Sequence, residues 1–134
     1  MKKRAFIVSA IASAALCSAG LAMAQDKFKI GLILPMTGPF ASTGKQIEAA
    51  ARLYIAQNGD TVGGKKVELI VKDDTSAPDV TKRIAQELVV NDKVNVLAGF
   101  GLTPLALATA PIATQSKTPL VVMAAATSSI TEAS

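Results

Sequence analysis

The chain contains no histidine and no tryptophan, and its single cysteine, Cys17, falls near the start of 134 residues. The absence of histidine removes the commonest metal ligand and the commonest general base. One cysteine excludes an intrachain disulfide. Aromatic residues make up only 4% of the sequence, and no basic patch interleaves with them, which argues against nucleic-acid binding. There is no G-x-S-x-G nucleophile elbow, no internal repeat and no low-complexity linker. What is present is a chain that is 50% hydrophobic and 18% charged, the composition of a globular protein rather than a disordered one. The formal net charge of +4 is mostly local: Lys2, Lys3 and Arg4 lie together, and beyond them 11 basic residues face 10 acidic ones.

Those three charges open a leader. Residues 6–21 form an apolar stretch rich in Ala and Ser, followed by Ala22-Met23-Ala24, an A-x-A pattern with cleavage expected after Ala24. Ser9, Ser13, Ser18 and Gly20 break the stretch, which barely reaches the length of a membrane span. Leu16 stands before Cys17 where a lipoprotein signal needs a small residue. The expectation is a secretory signal peptide at residues 1–24 and one exported unit at 25–134, periplasmic and free of cysteine.

In that unit, apolar runs at residues 28–34, 67–71, 94–98 and 120–123 read as buried strands. Between them lie helical patterns. From about residue 45 to 57, Ile47, Ala51, Tyr54 and Ile55 share one face. Pro78 opens a second helix, with Val80, Ile84 and Leu88 four residues apart. Thr103-Pro104 reads as an N-cap followed by Pro at the first helical position, with Leu105, Ala108 and Ile112 on the inner face. Strands alternating with amphipathic helices predict an α/β fold, a parallel sheet with helices on both faces. Right-handed crossovers then place every strand-to-helix loop at one edge, where ligands bind.

Four such loops are candidate sites. Gly99-Phe100-Gly101 leads to Thr103, where two glycines permit close backbone approach and a hydroxyl stands at a helix start that favours anions. A plain N-cap explains the same residues equally well. The third glycine of a dinucleotide loop is missing, since position 104 is proline. Ala124-Ala125-Ala126-Thr127-Ser128-Ser129 offers small residues, N–H groups and hydroxyls that suit a carboxylate. It should lie beside the Gly99 loop. Thr37-Gly38 with Ser42-Thr43-Gly44 is third, and turn chemistry explains it locally. Asp73-Asp74 is fourth; without a histidine or a third acid nearby it reads as a solvated or capping loop rather than a metal or acid–base site.

Several stretches in order carry a resemblance: Lys29-Ile30-Gly31 through Pro35-x-Thr37-Gly38-Pro39 and Gly44, Asp73-Asp74 with Pro78, residues 94–99, Ala113, and Thr118-Pro119 to Ala126-Thr127-Ser128. Together they resemble the type I periplasmic solute-binding proteins of ABC importers, the leucine/isoleucine/valine-binding branch, over residues 28–134. The resemblance implies a two-lobed receptor without catalysis, cofactor or metal. Such a receptor captures an amino acid or similar small carboxylate and delivers it to membrane permease subunits. It also implies the ligand contacts: Thr103, where relatives usually carry serine, the Ala125-Ala126 backbone, and Thr127. An aromatic contact of some relatives falls at Thr43, next to Ser42, where this chain has a hydroxyl instead of a ring. Members of that family run well past 300 residues, so the expectation is the N-terminal part of the first lobe, incomplete. Two other readings stay open: a ligand-sensing domain of the same fold without transport, and a secreted α/β hydrolase fragment.

Overall fold

An apolar run with few breaks sets the centre of the sheet. The computed structural model describes residues 27–132; the expected signal peptide, with its cut after Ala24, lies outside them. β1 (Lys27–Leu34) carries Leu32, Ile33 and Leu34, all buried, and pairs in parallel with a strand on each side. β3 (Lys65–Asp73) lies on one flank, β4 (Val96–Gly99) on the other, and β5 (Leu120–Val122) pairs in parallel beyond β4. These are the four expected parallel strands.

The sheet has a fifth member that composition did not reveal. β2 (Thr61–Val62) pairs antiparallel with Lys65 and Lys66 across Gly63-Gly64, giving the order β2-β3-β1-β4-β5 and a mixed sheet. A two-residue strand is too short to show periodicity, but a Gly-Gly pair between short runs is a hairpin signal. The third expected strand also begins later than residue 94. Lys29 N–H donates to the Asn95 side-chain carbonyl while Asn95 N–H donates to the Lys29 carbonyl, and regular pairing starts at Val96.

Three longer helices connect the parallel strands. α1 (Ala41–Asn58) starts four residues before the expected position, because the Phe40 carbonyl accepts the Thr43 and Gly44 N–H groups at 3.0 and 3.4 Å. Ser42, Thr43 and Gly44 therefore belong to a helical turn, not to a loop. Tyr54, expected on the buried face, is 67% exposed. α2 (Pro78–Val90) begins as expected, with Pro78 at its start and Ala77 extended before it. α3 (Thr103–Ser116) buries Leu105, Ala106, Thr109 and Ala113, a face turned away from the expected Ala108 and Ile112, which are only half-buried. Small side chains there let α3 approach α2, whose own buried residues are Thr81, Ile84, Ala85 and Leu88. Thr81 and Thr109 bond back to the carbonyls four residues earlier, at 2.8 and 3.0 Å, so neither hydroxyl is left unpaired inside the contact. A short helix, α4 (Ser129–Glu132), ends the described residues.

Two apolar clusters result. Ile33, Leu97 and Phe100 pack with α2 and α3 on one face, while Leu32, Leu34 and Ala98 pack with Ile47 of α1 on the other. Among the described residues no helix is long and apolar enough to cross a membrane.

Candidate functional site

The chain runs from β1 through α1 to β3 on one flank, then crosses to β4 on the other. Between β1 and β4 the direction of winding reverses, and the loops after those strands diverge to leave a crevice, the usual ligand position in open α/β sheets. Four loops border it: residues 35–40, 74–77, 100–102 and 123–128.

Phe100 makes the sharpest bend. Its side chain is fully buried, yet its φ is +67°, a left-handed conformation rare for a bulky residue. Its N–H donates to the Ile33 carbonyl at 2.9 Å, and its carbonyl accepts the Ala125 N–H at 3.0 Å, so it ties β1, β4 and the segment after β5. The bend directs the chain into α3. There the last non-helical residue is Leu102, extended at φ −129° and ψ 142°, and no side chain caps the helix. Thr103 is thus the first helical residue rather than the N-cap. With no cap to make, its hydroxyl donates across the gap to the Ala126 carbonyl, a long bond of 3.4 Å.

The structure thus joins Thr103 to the segment after β5. The Ala125 N–H is taken by Phe100, whereas the N–H groups of Ala126 and Thr127 make no hydrogen bond among the described residues; nor do those of Gly101, Leu102 and Thr103. Thr127 Oγ1 lies 3.0 Å from Ser129 Oγ, and its carbonyl accepts the Ile130 N–H at 3.4 Å. The result is one short row of unpaired donors at the start of a 14-residue helix and a second on the segment that Thr103 bonds, an arrangement suited to a carboxylate.

Ser42 and Thr43 occupy the first turn of α1, and their recorded bonds are local: Ser42 Oγ accepts from Gln46 Nε2 at 3.3 Å. No hydrogen bond joins them to Thr103 or to Ala126. Both groups nevertheless rest on one residue. A methyl group at Gly44 would collide with the Pro35 carbonyl, and one at Gly101 would sit 2.9 Å from the Pro35 ring.

Asp73 and Asp74 behave oppositely. Asp73 accepts the Met36 and Thr75 N–H groups at 2.9 Å and the Thr37 hydroxyl at 2.7 Å. Burial pushes its carboxyl up, but these bonds outweigh burial and hold it below the ordinary aspartate value. Asp74 is fully buried; Oδ1 accepts the Ser76 N–H at 2.8 Å, while Oδ2 and the Ser76 hydroxyl have no partner. Burial pushes this carboxyl up, the Ser76 N–H pulls it partly back, and the Asp73 charge adds to the rise. Of the expected solvated or capping loop, the capping part holds, since each carboxylate accepts the N–H two residues on, while Asp74 is buried rather than solvated. Among the described residues no cluster of three or more acidic, cysteine or histidine side chains is placed to hold a metal.

The family model described as periplasmic binding protein matches residues 27–134. The chain belongs to this family. Its members are solute-binding proteins rather than enzymes. A curated relative, Leu/Ile/Val-binding protein homolog 6 of Brucella abortus, is 47% identical over 131 residues, covering 97% of this chain and 33% of the relative. Among solved structures, a solute-binding protein of an ABC transporter from Rhodopseudomonas palustris BisB5, in complex with 3,4-dihydroxybenzoic acid, has 69% identity and a TM-score of 0.80. That match covers 81% of this chain and 30% of the other. A leucine-binding protein LivK from Thermotoga maritima superposes with a TM-score of 0.73 at 31% identity, over 78% of this chain and 29% of that one. The chain therefore spans about a third of the length of the relatives it matches.

Proposed function

We propose that residues 25–134 are the first part of the first ligand-binding lobe of an extracytoplasmic substrate-binding component of an ABC importer. The lobe contributes one wall of a crevice for a small carboxylate, which the complete protein passes to permease subunits in the membrane. The observation that carries this reading is the pair of unpaired N–H rows, at 101–103 and 126–127, meeting where Thr103 bonds Ala126. Thr103, the Ala126 backbone and Thr127 are the contacts on this wall, with Ser42 and Thr43 facing the ligand from the start of α1; Ala125, whose N–H is bonded to Phe100, supports them.

Within that class a hydroxylated benzoate is favoured over a branched-chain amino acid. The support is the Rhodopseudomonas palustris protein, 69% identical over the shared lobe, which holds 3,4-dihydroxybenzoic acid. Calorimetric titration of the full-length protein with 3,4-dihydroxybenzoate and with leucine tests this. Saturable 1:1 heat with the benzoate and none with leucine supports the reading; the reverse restores the amino acid. Thr127→Ala should weaken the preferred ligand by about 1.5–3 kcal/mol, the worth of one charge-assisted hydrogen bond. Unchanged affinity in that variant removes Thr127 from the site.

A further inference from the structure

Two groups of candidate contacts, one at the start of α1 and one at the start of α3, share no hydrogen bond, yet a ligand held between them needs their separation fixed. The shared element is Pro35. Gly44, one residue after Thr43, lies so close to the Pro35 carbonyl that a Cβ would collide with it. Gly101, two residues before Thr103, lies against the Pro35 ring, where a Cβ would come within 2.9 Å and force a shift. Pro35 has no N–H, so the sheet ladder cannot hold it from that side. What holds this stretch is the next two residues: Met36 N–H and the Thr37 hydroxyl both donate to the Asp73 carboxylate, at 2.9 and 2.7 Å. Asp73 is in turn anchored at the end of β3, where its register partner is Leu34, and it also accepts the Thr75 N–H at 2.9 Å.

We infer that Asp73 is a positioning residue of the ligand crevice: by fixing residues 35–37 it sets the distance between the α1 turn bearing Ser42 and Thr43 and the α3 start bearing Thr103. The side chain does not face the ligand. It locks the seat on which both walls rest. This rests on reading those residues as ligand contacts, but the mechanical part can be read without any ligand.

The test is Asp73→Ala in the full-length protein, with two readouts. In ligand-free protein, amide hydrogen exchange should quicken at Thr43 and Gly44 on one wall and at Phe100 and Ala125 on the other, while Leu97 in the core strand stays protected. Affinity for 3,4-dihydroxybenzoate, measured well below the melting temperature, should fall about tenfold or more, as expected when a preorganised contact set loosens. Faster exchange confined to Met36 and Thr75 would show a purely local tether and overturn the proposal, as would unchanged affinity in a protein whose parent binds the ligand. Should Asp73→Ala fail to fold, Thr37→Val removes one of the three bonds and Gly101→Ala pushes directly on the Pro35 ring. Both should reproduce the exchange pattern, and Thr37→Ser should not. A parent that binds neither 3,4-dihydroxybenzoate nor leucine would defeat the proposed function, and the exchange pattern alone would then decide the role of Asp73.

Discussion

On one face of the sheet, α2 and α3 enclose Ile33, Leu97 and Phe100 completely, with Leu88 and Leu105 filling the space between. On the other, α1 covers Leu32, Leu34 and Ala98 with little more than Ile47, and it leaves Leu53 and Tyr54 57% and 67% exposed. The helices differ in the same way. α2 has 13 residues and buries four of them; α1 has 18 and buries only Gly44. Length is therefore no guide to anchorage. α2 is held along its side by interdigitating apolar groups, whereas α1 is held mainly at its first turn, where Gly44 meets Pro35. That turn also bears Ser42 and Thr43. The face with the weaker core places its firmest contact beside the crevice.

The contrast can be broken at several points. Leu88→Ala, in the closed cluster, should cost about 2–5 kcal/mol in urea unfolding, since transfer and cavity terms add. Gly44→Ala should cost about 1–3 kcal/mol, because backbone rather than a flexible side chain obstructs the new methyl. A smaller loss than with an exposed α1 substitution would show that the helix is not pinned there.

The neighbouring carboxylates give a test in pH. Asp74 has its folded pKa raised, so the folded state binds its proton more tightly than the unfolded state does. Its penalty is absent in acid and appears as pH rises above the ordinary aspartate value of 3.8. Asp74→Asn should therefore raise stability at neutral pH, with the gain vanishing in acid. Asp73 has the opposite sign: its contribution is present above that value and disappears as pH falls through its lowered pKa. Thermal melts across this range on the two asparagine variants should show differences of opposite sign. The smallest effect belongs to the open face: Leu53→Ala should change stability by no more than about 0.5 kcal/mol. A loss comparable with that of Leu88→Ala would mean that α1 buries more than its exposure indicates.

Much of this was legible in the residues. The parallel strands announce themselves as apolar runs, and Pro78 marks the start of α2 because its fixed φ and missing N–H suit that position. The misplaced features have separate causes. The start of α1 is set by the Phe40 carbonyl, and the packed face of α3 by how closely small side chains let it approach α2. Tyr54 fits the helical period, but the sheet beneath α1 is too lightly covered to bury it. Thr103 was legible as a candidate contact, though its bond to Ala126 was not, since 23 residues separate them. Asp73 reads locally as part of a solvated or capping loop, because its other partners, Met36 and Thr37, follow a different strand.

The two borders of the sheet also differ. One ends in β2, only two residues long and backed by Lys65 and Lys66; the other ends in β5, an uncharged Leu-Val-Val run with Val121 half-exposed. Short, charged borders make poor templates for further strands, while bare apolar ones recruit them. The first border acts as a stop. β5 carries no such guard, so among the described residues it is the border that leaves room for a further strand.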